Sequence, residues 1–549
     1  MFINKNIIGD YRIDKMVNYK VCILAGGVAS QMGDLTKHVN AAILPVNFKA
    51  SISYMIEKFP EDVEIVIAVG HKKETVIDYL TLAYPNRNLK FVEVDRYFGP
   101  GTGPGYGLLC CKQHLQCPFV FAVSDTIILE EIPKPEENWF GIAPTKETEP
   151  YCTVKIKNNL VYQIDDKIKC DNKHLFIGLA GVKDYEHFWE ALENDKEPVR
   201  GEIQVSNGFK RLIEKRLVPI GFTWFDTGAP GSYKEAHLNF SGGGQTFDFS
   251  KNNEFLYFVN GRVIKFFADQ EITKKRVERA KNLVGLTPKI EGHKGNFYSY
   301  KKMDGQVLYS VLNPQIVNDF LQWAKRDLWK EITLSENEKK EFKEATQKFY
   351  YEKTMKRLDE FYNKSKISDD FNVINGVQIP PLKELLNKIN WEYICNSVPV
   401  KFHGDLQFDN ILVSRDEKSQ LTKFILLDWR QDFGGLTNAG DLYYDLSKLY
   451  GGMIISYQLI KTGQFSFDMS GSSIHYNYTI KNDLLEAKDE FESFIKKNGF
   501  DLNKIKVITS LIFLNMSPLH HEPFDLMLYH LGKTMLHKSL KQTENNKLQ

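Results

Sequence analysis

The chain has 549 residues, and its 71 basic and 70 acidic side chains leave a formal net charge of +1 at pH 7. This balance gives no electrostatic reason to expect nucleic acid or an anionic membrane as a partner. The length exceeds what one hydrophobic core usually supports, so we expect two domains. No apolar run is long enough for membrane insertion, and the seven cysteines lack paired spacing. These features favour a cytoplasmic protein with reduced thiols.

The first patterned segment of the chain is a short apolar strand, residues 19–25, that leads directly into Gly26 and Gly27. Paired glycines after a strand let backbone amides approach phosphate oxygens, and the next helix N-terminus adds partial positive charge. A later strand-like run ends at Asp125, which indicates an α/β domain with a mostly parallel sheet. Residues 1–18 show no clear pattern and are interpreted as an N-terminal arm.

A glycine-rich segment, GPGTGPGYG at residues 99–107, contains Gly101 and Gly103. It is too rich in glycine for a strand or a helix interior. We interpret it as a loop that binds a nucleobase or substrate, and a flexible connector is the alternative that the composition leaves open.

Five segments together, LAGG, NAAILPVNFKASISYMIEKF, GPGTGPGYGLL, VSDT and WFDTG, resemble the sugar-phosphate nucleotidyltransferases over residues 19–240. The resemblance implies a Rossmann-like domain in which two aspartates hold Mg²⁺ while a sugar phosphate attacks the α-phosphorus of a nucleoside triphosphate. Asp125 and Asp226 match those aspartates. The four glycines would contact the nucleotide, CTP or UTP, and the sequence leaves the base open.

Two positions depart from that family pattern. Gln31 stands where the family has an arginine, and Ala41 stands where it has a lysine. Each missing cation would offset charge on the triphosphate, and one such preorganised group is typically worth roughly 10²- to 10³-fold in rate. Lys37, Lys49 and Lys167 are candidates to replace them. The resemblance therefore predicts the ancestry of the domain and leaves its activity open.

A flexible composition at residues 241–248 predicts a linker to a second domain, residues 249–549. Beyond it, two β-rich runs flank Asn260-Gly261, which predicts a hairpin with a tight turn. Lys265 falls in the second strand of this hairpin. A solvated lysine at a strand edge is the alternative reading for that position.

The segment HGDLQFDN supplies His403, Asp405 and Asn410, and a following apolar run, residues 424–427, leads into Asp428. Phosphoryl transfer needs one carboxylate to orient and deprotonate a hydroxyl, and an amide with a second carboxylate to hold Mg²⁺. The spacing His-x-Asp-x-x-x-x-Asn predicts that base and metal amide share one short loop. Asp and Asn are common in turns, but a turn accounts for single residues and not for the ordered set.

The segments HGDLQFDNIL and LLDWR, with Trp429 and Arg430 where protein kinases carry Phe-Gly, resemble the aminoglycoside phosphotransferase and choline kinase family. The resemblance implies an α+β, protein-kinase-like fold with a small β-rich lobe and a larger helical lobe. It also implies ATP and Mg²⁺ as cofactors and a small-molecule hydroxyl as acceptor. Arg430 is expected to touch the substrate or brace the loop.

The same resemblance implies that Lys265 binds the ATP phosphates and pairs with a glutamate on the next helix. Glu278 is the first candidate and Glu271 the second. Residues 250–253 would serve as the phosphate-covering turn, since no GxGxxG loop precedes the lysine. Downstream, Asp441 and Asp445 could orient the catalytic loop or face water, and the sequence does not separate these readings.

A kinase makes a phosphate ester and a nucleotidyltransferase consumes one, so the fusion suggests consecutive steps. We expect a bifunctional enzyme that makes a nucleotide-activated sugar or polyol for a surface glycan. One alternative is an active kinase with a non-catalytic nucleotidyltransferase-like binding domain. Another is a choline or other amino-alcohol kinase joined to a cytidylyltransferase. The sequence leaves the acceptor and the oligomeric state open.

Overall fold

The computed structural model describes residues 19–194, 198–240, 252–415 and 422–548, and the side chains of the last six of these are not described. The predicted arm and the predicted linker lie outside the described residues, as do residues 250 and 251 of the predicted phosphate-covering turn. Contacts divide the chain into two compact units: Met1–Gln270 with Glu291–Lys302, and Glu271–Ile290 with Met303–Gln549.

The first unit is α/β. Its strands are β1 (Lys20–Ala25), β2 (Pro45–Val46), β3 (Lys49–Ala50), β4 (Ile65–Val69), β5 (Leu89–Glu93), β6 (Phe119–Val123), β7 (Thr126–Ile128), β8 (Asn138–Pro144), β9 (Cys152–Lys157), β10 (Leu160–Asp166), β11 (His174–Val182), β12 (Leu217–Gly221), β13 (Trp224–Asp226), β14 (Glu254–Val259), β15 (Arg262–Phe267), β16 (Ile290–Lys294) and β17 (Phe297–Lys301). Its helices are α1 (Ser51–Ile56), α2 (Lys73–Ala83), α3 (Pro104–Cys111), α4 (Tyr185–Asn194), α5 (Ser206–Leu212) and α6 (Pro230–Phe240).

The main sheet of this unit has nine strands in the described part of the chain. Its centre runs β6-β1-β4-β5 with all neighbours parallel, and β11 pairs antiparallel with β6. Val21 and Ile23 of β1 join one apolar cluster while Cys22 joins another, so both faces of the strand are covered. Continuous apolar runs are typical of such parallel strands. The prediction of a Rossmann-like domain with a mostly parallel sheet is confirmed in this form.

A second sheet, in the order β14-β15-β17-β16, belongs to the same unit. The predicted hairpin is confirmed, since Asn260 and Gly261 both adopt the positive φ that a tight hairpin turn requires. The ring of Tyr257 in β14 packs at a tilt against that of Tyr79 in α2, with the ring centres 4.7 Å apart, and the Tyr257 hydroxyl donates to the carbonyl of Ile43 at 2.9 Å. This sheet therefore shares the core of the α/β domain. The assignment of residues 249–549 to one second domain stays a prediction.

The second unit is largely helical, with small sheets. Its helices are α7 (Gln270–Asn282), α8 (Pro314–Trp323), α9 (Glu336–Gln347), α10 (Lys353–Ser365), α11 (Leu382–Lys388), α12 (Trp391–Cys395), α13 (Leu442–Ile454), α14 (Tyr457–Lys461), α15 (Asn482–Lys497), α16 (Leu502–Met516) and α17 (Phe524–Leu548). Its strands are β18 (Gln306–Val307), β19 (Asn372–Ile374), β20 (Val377–Ile379), β21 (Pro399–Val400), β22 (Ile411–Arg415), β23 (Thr422–Leu426), β24 (Gly440–Asp441), β25 (Phe465–Ser470) and β26 (Ser473–Tyr478).

Three features of the second unit lie near its candidate site. The antiparallel pair β22–β23 follows the loop that contains Asp405, and β21 pairs with β24 just before α13. A π-helical turn, Lys348–Glu352, joins α9 to α10.

Across the residues that the structure describes, no helix has the length and apolarity needed to cross a membrane.

Candidate functional sites

In the first unit, a cavity of about 570 Å³ opens at the carboxyl ends of the parallel strands, where ligands usually bind in such sheets. Gly26, Gly27, Gly103 and Asp125 line it, whereas Gly101 and Asp226 are not among the lining residues. A Cβ on the nearby Gly70 would lie 2.7 Å from the carbonyl oxygen of Gly26, so only glycine fits between these two strand ends.

The glycine-rich segment is only partly a loop. Residues 104–107, which we expected to be non-helical, form the first turn of α3. Pro104 suits this position because its fixed φ favours the start of a helix. A Cβ on Gly105 would lie 2.8 Å from the carbonyl oxygen of Ile203, so this glycine serves close packing. The prediction against helix was wrong at these positions because composition does not reveal such a contact.

The two predicted aspartates converge. Asp226 ends β13 and pairs with Thr126, next to Asp125, in a short antiparallel ladder. A Cβ on Gly228 would lie 2.8 Å from Oδ2 of Asp125 and 3.1 Å from Oδ1 of Asp226. Asp226 accepts hydrogen bonds from the Gly228 amide at 2.8 Å and from the Ser232 hydroxyl at 2.7 Å. The carboxylates of Asp125 and Asp226 therefore both lie next to Gly228.

The electrostatics of this pair favour a bound cation. Burial, and then the charge of Asp226, raise the pKa of Asp125 to about 6. A divalent cation would relieve both the burial cost and the repulsion, and carboxylate oxygens are ligands that Mg²⁺ prefers. No group of three or more His, Cys, Asp or Glu side chains in the described ranges is arranged to hold a metal. The donor set here is a pair, which suits a Mg²⁺ that keeps waters and binds nucleotide phosphates.

The two missing cations are not replaced at their own positions. The side-chain amide of Gln31 donates to the carbonyl of Gly228 at 2.6 Å, and Ala41 lines the cavity. Lys49 forms an ion pair with Glu57, so its ammonium is already partnered. Lys167 pairs with Glu202, which lines the cavity, at 3.3 Å.

The sequence analysis did not identify one cationic residue that lines this cavity. Arg96 lines the cavity just beyond β5, and its guanidinium lies 4.4 Å from the ring centre of Tyr106. An arginine between a strand end and a glycine-rich segment is the signal that could have identified it. Lys37, the third candidate cation, is exposed.

In the second unit, a buried carboxylate shapes the catalytic loop. Asp445 of α13 accepts hydrogen bonds from the backbone amides of His403 and Gly404, both at 2.7 Å. Burial raises the pKa of Asp445 to about 6. Asp441 is also fully buried and accepts from the Tyr350 hydroxyl at 2.6 Å. Both aspartates are therefore structural supports, and the reading in which they face water is wrong.

His403 is a second support of the loop. Its Nε2 donates to the carbonyl of Leu427 at 2.7 Å, and its Nδ1 accepts from the amide of Asp405 at 3.3 Å. These two bonds fix a neutral tautomer. Burial lowers the pKa of His403 to about 4, which keeps the ring neutral near pH 7.

Asp405 has a buried cationic partner that the sequence analysis missed. Lys448 of α13 places its Nζ 2.8 Å from Asp405 Oδ1. Burial alone would raise the pKa of Asp405, but Lys448 outweighs burial and the net pKa is lowered. Lys448 lies three residues after Asp445, so both face the same side of the helix. That spacing was the available signal.

The amide of Asn410 is held beside the base. Its Nδ2 donates to the backbone carbonyl of Asp405 at 2.9 Å, so its Oδ1 points elsewhere and is suited to a metal. Asp428 follows β23 with φ at +56°, and the preceding Leu427 amide donates to the carbonyl of Asn410 at 2.7 Å. Arg276 of α7 forms an ion pair with Asp428. The oxygen donors that Mg²⁺ requires are therefore present on this loop and the next strand end.

The residues predicted to clamp the ATP phosphates belong to different units of the chain. Lys265 is buried in β15 of the first unit. Glu278 of α7 accepts from the Thr437 hydroxyl at 3.1 Å, and Glu271 pairs with Lys274 at 2.7 Å, both within the second unit. The ion pair between Lys265 and Glu278 stays a prediction.

Comparison with known proteins identifies relatives of the N-terminal region, about 40% of the chain. Two relatives are the bifunctional protein GlmU of Methanococcus vannielii, 27% identical over 231 residues, and that of Methanococcus maripaludis strain C5, 24% identical over 226 residues. The matches cover 40% of this chain and 54% and 53% of the relatives. The match thus spans about half the length of these relatives. No family model matches the chain.

Two solved structures also match the same share of the chain. One is the CTP:phosphocholine cytidylyltransferase of Streptococcus pneumoniae, LicC, at 18% identity, with a TM-score of 0.34, 41% of this chain and 99% of that chain covered. The other is a UDP-glucose pyrophosphorylase of Acinetobacter baumanii at 14% identity, with a TM-score of 0.34, 41% of this chain and 93% of that chain covered.

Proposed function

We propose that this chain is a bifunctional enzyme that phosphorylates a small-molecule hydroxyl with ATP and then converts the phosphate ester into a nucleotide-activated product. The observation that carries the kinase half is the loop on which Asp405, paired with Lys448, lies beside Asn410. The nucleotidyltransferase half is supported by the carboxylate pair at Asp125 and Asp226 and by the similarity of the N-terminal region to GlmU.

In the kinase step, Asp405 orients the acceptor hydroxyl and accepts its proton while the hydroxyl oxygen attacks the γ-phosphorus of ATP. The bond to the bridging oxygen breaks, and ADP leaves. Asn410 and Asp428 would hold Mg²⁺, which neutralises charge on the phosphates when bound. His403 and Asp445 fix the loop, and Lys265 with Glu278 would clamp the ATP phosphates.

In the nucleotidyl step, the phosphate ester attacks the α-phosphorus of a second nucleoside triphosphate, CTP or UTP, and pyrophosphate leaves. Asp125 and Asp226 would hold the Mg²⁺ of this step. Gly26, Gly27 and Gly103, which line the cavity, would let backbone amides approach the nucleotide. A sugar or polyol acceptor would make the product a precursor of a surface glycan.

A second candidate function is favoured by one observation. Gln31 binds the carbonyl of Gly228 at 2.6 Å, and Ala41 presents a methyl group, at the two positions where cations were expected. A domain that keeps its fold but lacks both cations could bind a nucleotide without turnover. The kinase half would then act alone.

The test is ³¹P NMR of the full chain with Mg²⁺, ATP, CTP and UTP against pooled sugars, polyols and choline. We expect a phosphomonoester followed by a pyrophosphate-linked diester. A reaction that stops at the phosphomonoester would favour the second candidate, and formation of a choline ester would assign the amino-alcohol alternative. If no phosphomonoester forms, the kinase assignment fails for these acceptors.

A further inference from the structure

Two cations beside the catalytic loop have no acidic partner in the described part of the chain. The ammonium of Lys353 lies 4.3 Å from the ring centre of Phe349, and the guanidinium of Arg430 lies 5.1 Å from the same ring. The buried Nε of Arg430 has no hydrogen-bond partner among the described residues. Both side chains are only partly exposed, and removing unpaired cations from water is costly, so the arrangement points to an anionic ligand.

These cations belong to the neighbourhood of Asp405. The backbone amide of Arg430 donates to the carbonyl of His403 at 3.0 Å. A Cβ on Gly404 would lie 2.6 Å from Cβ of Arg430. Arg430 is therefore packed against the residues that precede Asp405, and Phe349 links it to Lys353.

The nearby acidic side chains already have other cations. Asp405 pairs with Lys448 at 2.8 Å, Asp432 with Lys275 at 2.9 Å, and Glu360 with Arg357 at 2.6 Å. Asp428 pairs with Arg276. Each of these four carboxylates therefore already has an ion-pair partner other than Lys353 or Arg430.

The position of Lys353 adds two observations. It begins α10 directly after the π-helical turn Lys348–Glu352, and such turns are frequent at functional sites. Burial, and then the neighbouring cations Arg430 and Lys448, lower the pKa of Lys353 well below its ordinary value. A bound anion would reverse this repulsion and restore the charge.

We propose that Lys353 and Arg430 bind an oxyanion, a carboxylate or a phosphate, carried by the acceptor whose hydroxyl Asp405 activates. This inference rests on the proposed kinase function and narrows its substrate class to an anionic sugar derivative or hydroxy acid. Arginine and lysine are the side chains suited to such groups. A quaternary ammonium acceptor would instead meet two like charges.

The test uses the full chain, Mg²⁺ and acceptor sets that differ in charge: glucose, gluconate and glucose phosphate; glycerol, glycerate and glycerol phosphate; and choline. Phosphorylation is followed by ADP release. Binding is followed by calorimetry with a non-hydrolysable ATP analogue. The variants are Lys353→Gln, Arg430→Gln and the charge-preserving Lys353→Arg. Exposed Lys356→Gln on the same helix and Arg415→Gln on β22 are matched controls, and melting temperatures report folding.

We expect charged acceptors to bind at least about tenfold more tightly than their neutral counterparts. Each Gln variant should raise KM for the charged acceptor by about tenfold to a hundredfold, because one charge-assisted hydrogen bond is lost. KM for ATP should be unchanged, Lys353→Arg should recover most of the binding, and the controls should match wild type.

Equal affinity for charged and neutral acceptors, or a preference that survives both Gln variants, would overturn the inference. A rise in KM for ATP in place of the acceptor would also overturn it, because the anion would then be the γ-phosphate. Phosphorylation of neutral acceptors that is lost in Asp405→Asn would leave the kinase proposal standing without this inference. Charged acceptors that bind through the two cations but are never phosphorylated would leave the anion site standing without the kinase.

Discussion

The carboxylate pair of the first unit and the catalytic loop of the second balance their charges in opposite ways. Asp125 and Asp226 have no Lys or Arg partner among the described residues, and the pKa of Asp125 is raised to about 6 by burial and by its neighbour. Asp405 has Lys448 at 2.8 Å, which outweighs burial and lowers its pKa.

The difference shows how one residue type serves two chemistries. A carboxylate pair without internal cations binds a metal strongly once one arrives, because the metal relieves repulsion. A carboxylate with a fixed internal cation stays ionised and can orient a hydroxyl without waiting for a ligand. The ionisation of Asp125 should therefore depend on bound Mg²⁺, and that of Asp405 on Lys448.

The largest expected effect comes from removing the base. Asp405→Asn should lower phosphorylation of the acceptor by about a thousandfold, since general base catalysis contributes roughly 10²- to 10⁴-fold. ADP release with saturating acceptor measures this loss. Nucleotidyl transfer from a supplied phosphomonoester should be unchanged in the same variant. Equal loss of both reactions would mean that the two sites are not separate.

The internal cation can be removed by Lys448→Met. Losing it raises the pKa of Asp405, so the acid limb of the pH–rate profile should move to higher pH, and kcat should fall about a hundredfold. Lys448→Arg should restore much of the rate. A profile that does not move would show that Lys448 supports folding rather than the base.

Restoring cations at the first site should raise its activity, whereas the preceding substitutions lower the activity of the second site. Gln31→Arg with Ala41→Lys is expected to raise pyrophosphate release from CTP or UTP by about tenfold or more, because each cation offsets triphosphate charge. Exposed Gln116→Arg is a matched control. If neither wild type nor the double variant releases pyrophosphate, the domain is a binding module.

The smallest expected effect is the pH dependence of Mg²⁺ binding to the first unit. Mg²⁺ competes with the proton on Asp125, so its affinity should fall by about tenfold per pH unit below a pH of about 6. Asp226→Asn removes the like charge, lowers the pKa of Asp125 and shifts that fall to lower pH. Calorimetry with Asp428→Asn in the background removes the carboxylate proposed to hold Mg²⁺ in the second unit, and so isolates this site. Affinity that is flat between about pH 5 and 7 would contradict the account.

Local chemistry predicted much of both sites. The Asn260-Gly261 turn specified its hairpin because that dipeptide accepts positive φ at both positions. The spacing from His403 to Asn410 predicted one loop. In the structure, the amide of Asp405 donates to the ring of His403, and the side chain of Asn410 donates to the carbonyl of Asp405. These features depend on residues close together in sequence.

Features that depend on distant contacts were not predicted. Lys448 lies far along the chain from Asp405, and the core shared by β14–β17 and α2 joins segments separated by well over a hundred residues. Position 105 requires glycine because Ile203 packs where a side chain would be. A single sequence does not state which distant segments meet, so charge partners and close approaches appear only in the fold.

The most direct test of two consecutive reactions on one chain is a complementation experiment with Asp405→Asn and Asp125→Asn, followed by ³¹P NMR with Mg²⁺, ATP, CTP, UTP and the acceptor. We predict that neither variant alone makes the nucleotide-activated product, that Asp125→Asn accumulates the phosphomonoester, and that mixing the two restores the product. Product formation by Asp125→Asn alone, or a mixture that stops at the phosphomonoester while wild type does not, would contradict this account.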